Sequence, residues 1–186
     1  MEALLEAAHD PAKFKYAIAD IPELTEAVIG WYKRRYGVDL EADEITSVNG
    51  SQEGLAHIGL TLFNPDDVCL VPAPCYPIFE IGPFLSGAHI EYYHLKEENN
   101  NYELDLDSIP EDIAYKAKAI LVSYPANPVS AAVRPEFYPK LIAWAKKYNV
   151  IVIHDNAYSE MTFDGYEGTS FLAFEGAKEV GVEFNS

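Results

Sequence analysis

Apolar residues recur along this chain in two rhythms. Between Ile21 and Tyr36 they fall at Leu24, Ala27, Val28, Trp31 and Tyr32, one face of a helix, with Pro22 near its start and Gly37 just past its end. Gln52 to Leu62 repeats that spacing with Leu55, Ile58 and Leu62. Shorter, unbroken apolar runs follow at Val68-Cys69-Leu70-Val71, Ala119-Ile120-Leu121-Val122 and Val150-Ile151-Val152-Ile153. Runs of this kind predict strands covered on both faces, and the last two bracket a helix from Pro135 to Tyr148, which makes a βαβ unit of parallel strands. Ile45 to Val48 predicts a short strand before the Asn49-Gly50 turn. Ile78 to Ser86 predicts a short helix stopped by Gly87, His89 to Leu95 a further strand, and Glu97 to Asn101 a polar surface loop. Val182-Glu183-Phe184 starts one more strand. The fold class is α/β.

The chain's 186 residues suit a single domain, and 49% hydrophobic residues suffice for a core. Thirteen basic against 30 acidic residues give a net charge of −17, which repels polyanions and excludes nucleic acid and anionic membranes as expected partners. The basic run Lys33-Arg34-Arg35 sits on the first predicted helix and is expected to be a solvated face. No apolar stretch is long enough to span a membrane, and the N-terminus lacks the pattern of a secretory signal. Cys69 and Cys75 form neither a CxxC pair nor a disulfide scaffold, so a cytoplasmic location is expected. The five histidines show no metal-ligand spacing, and no metal site is expected.

In open α/β sheets ligands gather at the carboxyl ends of the strands. After the first predicted strand, Gly50-Ser51-Gln52 opens a helix whose free N–H groups suit a phosphate, although Ser51 would serve equally as a plain helix cap. After the second, three prolines in Pro72-Ala73-Pro74-Cys75-Tyr76-Pro77 fix an aromatic ring, either as a stacking face or as part of the core rim. After Val122, Asn127 stands before Pro128 with its amide free to donate, or as an ordinary loop residue. After Ile153 comes His154-Asp155-Asn156-Ala157-Tyr158, with a carboxylate ending a buried strand. Burial of an unpaired carboxylate is costly, so Asp155 is expected to have a cationic or N–H partner. An anion nest, a stacking ring, a donor to a phenolate oxygen and a carboxylate for a ring nitrogen together match pyridoxal phosphate.

On these words the sequence resembles the class I/II aminotransferases, the aspartate-aminotransferase-like branch of fold-type-I pyridoxal-phosphate enzymes. The matching segments are Pro22-Glu23-Leu24 through Tyr36-Gly37-Val38, Asn49 to Leu55, Pro72 to Pro77, Tyr124 to Pro128, and Asp155 to Tyr158. The resemblance implies a three-layer α/β/α fold with a mostly parallel sheet, residues 1–186 being part of the cofactor-binding large domain without the N-terminal arm and the C-terminal small domain. It implies that Ser51, Gln52 and Ser186 bind the phosphate, Tyr76 stacks on the ring, Asn127 and Tyr158 bond the 3-oxygen, and Asp155 pairs with the ring nitrogen. Cis peptides are implied at Ala73–Pro74 and Asn127–Pro128. The family's Thr-Gly after Asn-Pro is Val129-Ser130 here.

No catalytic residue is assigned. By resemblance the Schiff-base lysine lies three residues beyond Ser186, so this chain alone is expected to be inactive. The parent is expected to be a homodimer acting on an amino acid and a 2-oxo acid, with a carbon–sulfur lyase or a non-catalytic binding module of the same fold as alternatives. A further antiparallel strand from beyond Ser186 is implied between the strands at Ile45–Val48 and Val182–Phe184, so an exposed edge or gap is expected there.

Overall fold

The computed structural model describes residues 1–16, 18–98 and 101–186, and these form two compact units, Met1–Ser47 and Val48–Ser186. The first unit is helical. It carries α1 (Glu2–Ala8) and α2 (Pro22–Tyr36), the latter with Pro22 in its first turn and three basic residues in its last. Gly37 ends α2 at φ 71°, and the Gly37 and Val38 N–H groups return to the Lys33 and Tyr32 carbonyls, so the last turn is closed without a side-chain cap. Lys33 and Arg34 are exposed, as expected of a solvated face.

Ile45 to Val48 does not form the expected strand. The Ser47 N–H, which a ladder would need, instead donates to Asp20 Oδ2 at 2.9 Å, and the Ser47 hydroxyl bonds the same carboxylate.

The second unit contains α3 (Ser51–Leu62), β1 (Val68–Ala73), α4 (Ile78–Leu85), β2 (His89–Glu98) and β3 (Asn101–Leu104). It continues with α5 (Glu111–Ala114), β4 (Ala117–Ser123), α6 (Phe137–Tyr148), β5 (Ile151–Asn156), α7 (Ala177–Val180) and β6 (Gly181–Asn185). The six strands form one sheet in the order β3-β2-β1-β4-β5-β6, parallel except for β3. The expected loop at Glu97–Asn101 is a correction. β2 runs on to Glu98 and β3 starts at Asn101, because Glu97 and Glu98 pair antiparallel with Tyr102 and Asn101 while the acidic composition masks the strand; residues 99 and 100 lie outside the described residues.

The unbroken apolar runs are explained by the two faces of this sheet. Leu70, Ile120, Val122 and Val152 meet Phe137, Tyr138, Leu141 and Ile142 of α6, while Cys69, Val71, Leu121 and Ile153 meet Leu55 of α3 and Phe79 of α4. Alternate residues thus serve opposite layers, each fully buried aliphatic contributing about 1.5–3 kcal/mol. Two close approaches set α3 in place: a Cβ on Gly59 would collide with the Gly82 carbonyl oxygen, and one on Gly54 would collide with the Phe184 ring. The sheet has no gap within its six strands. The expected interruption is therefore not found: Ile45–Val48 forms no strand, and β6 follows β5 at the end of a continuous sheet.

Candidate active site

The parallel strands deliver their carboxyl ends to one rim. There β1 leads into the proline loop, β4 ends at Ser123, β5 ends in Asp155-Asn156, and β6 leads to Ser186. The expected site residues all belong to the second unit. Gly50, at φ 83°, is the N-cap of α3, and no side chain caps the helix; the Glu53 N–H turns back to the Gly50 carbonyl at 3.1 Å, and the Ser51 and Gln52 amides are those that can meet another acceptor. Ser51 is therefore not a capping serine. Its Oγ lies 3.4 Å from Ser186 Oγ, which brings hydroxyls 135 residues apart in sequence to one helix N-terminus. Gln52 follows on α3 with its side chain exposed. Glu53, by accepting the Asn49 N–H at 2.5 Å, fixes the chain entering the helix.

Tyr76 is half-buried and edge-on to Phe79, with centroids 6.2 Å apart. The peptide bonds Ala73–Pro74 and Asn127–Pro128 are cis, as is Tyr124–Pro125. Where Thr-Gly was replaced, Ser130 takes the left-handed φ of 52°, and the turn is closed by Ser130 N–H to Ala126 O and Ala126 N–H to Ala131 O, both 2.8 Å. Asn127 Nδ2 then donates to the Tyr158 hydroxyl at 3.2 Å, which joins the loops after β4 and β5. A pocket beside them, lined by Pro72, Pro74, Phe79, Ser123, Tyr124 and Asn127 among others, opens the β1 and β4 side of the rim. Cys75, between Pro74 and Tyr76, has its thiol pushed up to about 11 by burial and then by the Glu80 carboxylate, which favours the protonated thiol at neutral pH.

Two buried side-chain oxygens at the end of β5 have no partner among the described residues, Asp155 Oδ1 and Asn156 Oδ1, and of the two residues Asp155 is the one that can carry a charge. It is 5% exposed, Oδ2 receives a long bond of 3.4 Å from Ser123 Oγ, and Oδ1 has no partner. The expected cationic or N–H partner is thus not supplied from within the described residues, which corrects the sequence expectation. Burial raises its pKa, and the charge of His154 and the Ser123 bond oppose that shift only in part. A buried carboxylate oxygen without a donor fits a ligand that brings one, such as a protonated ring nitrogen. Behind β5 lies a group of residues that sequence reasoning missed. His154 Nδ1 is 3.0 Å from Glu183 Oε2, Nε2 is 3.2 Å from the Tyr138 hydroxyl, and Ser170 Oγ donates to Glu183 Oε1 at 2.8 Å. A histidine and a glutamate inside otherwise apolar strands were the available signal.

Comparison with known proteins settles the family. The description "Aminotransferase class I and II" matches residues 1–182. The chain belongs to the class I and II aminotransferases. Enzymes of this family use pyridoxal phosphate, and the phosphate-ready α3 terminus together with the unpartnered Asp155 oxygen fits that cofactor. Among relatives of this aminotransferase chain, one from Aquifex aeolicus, named LL-diaminopimelate aminotransferase, is 47% identical over 188 aligned positions, covering 100% of this chain and 48% of the relative. A substrate-bound BacF structure from Bacillus subtilis matches with TM-score 0.92 and 38% identity, over all of this chain and 47% of that one. A probable N-succinyldiaminopimelate aminotransferase from Thermus thermophilus matches with TM-score 0.89 and 34% identity, over 100% of this chain and 50% of that one. The chain spans about half the length of the curated relatives it matches.

Proposed function

We propose that this chain supplies the pyridoxal-phosphate cradle of an aminotransferase that moves the amino group of LL-diaminopimelate to a 2-oxo acid. The observation that carries the cofactor part is the buried, donor-less Oδ1 of Asp155 at the end of β5. The substrate part is supported by relatives 40–47% identical that bear the name LL-diaminopimelate aminotransferase.

On this reading Ser51, Gln52 and Ser186, with the first-turn amides of α3, hold the phosphate. Tyr76 stacks on the ring. Because Asn127 donates to the Tyr158 oxygen, the Tyr158 hydroxyl proton is left to donate to the 3-oxygen of the ring. The Asp155 carboxylate would accept a hydrogen bond from the protonated ring nitrogen and so favour that protonation state; such a charge-assisted bond contributes roughly 1.5–3 kcal/mol. When bound, pyridoxal phosphate supplies a ring that takes up the electron pair released as the substrate Cα–H bond breaks. The resemblance places the catalytic lysine beyond Ser186, and on this reading the longer protein carries out the turnover as a homodimer.

The test is a pyridoxal-phosphate titration of this chain and of Asp155→Ala by absorbance, followed by borohydride reduction and intact mass. Saturable binding weakened at least ten-fold by the substitution, with no site-specific adduct, is expected. Equal binding by both proteins would remove Asp155 from the site. For the substrate, amino transfer from LL-diaminopimelate by the longer protein is the assay, and its failure alongside activity on another amino acid would overturn that part.

A further inference from the structure

His154 and Asp155 are consecutive on β5, so their side chains leave the strand on opposite faces. Asp155 shares its face with Ile153, under α3 and α4; His154 shares its face with Val152, under α6. On that second face, His154 is opposite Glu183 of β6 in the ladder, with Nδ1 3.0 Å from Glu183 Oε2. Both side chains are completely buried. The Glu183 carboxylate also accepts from Ser170 Oγ and from the Phe171 N–H, each at 2.8 Å. Donors of this kind favour the ionised form of a buried carboxylate. An ion withdrawn from water in this way needs a counter-charge, and the imidazole in contact with it is the group that can carry one. Tyr138 of α6 completes the surroundings, its hydroxyl 3.2 Å from Nε2, and the Phe171 ring lies stacked on the imidazole at 5.7 Å.

We propose that His154, held as an imidazolium by Glu183 on the back of β5, is a positioning residue that keeps Asp155 ionised for the ring nitrogen of the cofactor. The inference rests on the pyridoxal-phosphate reading given above. A cation set directly against Asp155 would occupy the oxygen that the ring nitrogen needs. A cation on the far side of the strand stabilises the same charge and leaves Oδ1 open, as it is here. The groups bearing on Asp155 act in both directions. Burial favours its neutral acid; the His154 charge is the largest opposing influence, Ser123 of β4 helps through its hydroxyl, and Glu183 acts weakly the other way. The buried pair thus serves the site although neither member faces it.

The test follows the Asp155 carboxyl carbon by NMR against pH in the cofactor-free chain, its resonance assigned with Asp155→Asn, in wild type and in His154→Gln. Glutamine keeps a donor and removes the charge. The expected result is an upward move of the Asp155 midpoint in the variant, on the order of ten-fold in proton affinity, and cofactor binding that is weakened near neutral pH and recovers as pH rises. An unchanged midpoint overturns the proposal. Because His154→Gln can fail to fold, the wild-type protein supplies a second reading: 15N NMR should find protons on both ring nitrogens of His154 at pH 7, and a neutral ring overturns the proposal equally. Wild-type protein that binds no pyridoxal phosphate, yet shows a His154-dependent Asp155 midpoint, would refute the cofactor reading and leave the electrostatic coupling standing.

Discussion

Replacing Asp155 by asparagine should stabilise the fold at neutral pH while damaging the site. In the free protein Asp155 is 5% exposed, and among the described residues one of its oxygens has no donor and the other has a 3.4 Å contact with Ser123 Oγ. A buried polar atom left unsatisfied costs about 1–3 kcal/mol, more when charged. Asparagine fills the same volume without the charge but still leaves a polar atom short of a partner, so the net gain is about 1–2 kcal/mol. The pH dependence fixes the cause. Burial raises the Asp155 pKa above its ordinary value of 3.8, so the folded state prefers the protonated acid. That preference is fully present below the unfolded value and is lost as pH rises through the raised folded value, leaving the wild type at its full disadvantage at pH 7.5. The variant's advantage should therefore be largest at pH 7.5 and shrink as pH falls toward 4. Urea denaturation followed by circular dichroism at both ends of that range measures it, with a rise of roughly 2–8 °C in Tm at pH 7.5 as a parallel readout. A variant less stable than wild type at pH 7.5, or a gain that does not change with pH, would refute the reasoning.

Three other substitutions probe the parts that position the site. Gly54→Ala drives a Cβ into the Phe184 ring, so α3 and β6 must separate; a loss of about 1–3 kcal/mol in denaturant melts and weaker inorganic phosphate binding in a calorimetric titration are expected, because Ser51 and Ser186 part with them. Gly59→Ala meets the Gly82 carbonyl oxygen, a backbone contact that cannot rotate away, and should cost about 3 kcal/mol despite the better helix propensity of alanine, read from the urea midpoint. Tyr158→Phe removes the hydroxyl that receives the Asn127 amide; cofactor affinity should fall about three- to ten-fold in an absorbance titration, while Tm changes by less than about 4 °C.

The sequence was most readable where local pattern and sheet geometry coincide. The apolar runs at Leu121-Val122 and Val152-Ile153 require two covered faces, and residues following such strands lie on the rim that α/β proteins use for ligands. Asp155, at the end of β5, and Tyr76 and Asn127, in the loops after β1 and β4, stand at that rim. Contacts between distant segments were not readable. Ser186 meets Ser51 only because β6 passes against α3 at Gly54, and a sequence shows neither the approach nor the missing Cβ that permits it. Ile45 to Val48 has the composition of a strand, but Asp20 takes the N–H that a ladder would use. Glu97 and Glu98 look like loop residues because their polarity conceals the hairpin pairing. The His154–Glu183 pair is hidden for a similar reason, since a polar residue in each apolar strand names no partner and only the register of β5 and β6 joins them.

The claim that Asp155 holds the proton of the cofactor ring nitrogen is tested most directly by 15N NMR of this chain with pyridoxal phosphate labelled at that nitrogen, compared with Asp155→Ala at pH 7.5. The structure predicts a protonated ring nitrogen in the wild-type complex and an unprotonated one in the variant. The same protonation state in both proteins would contradict the account.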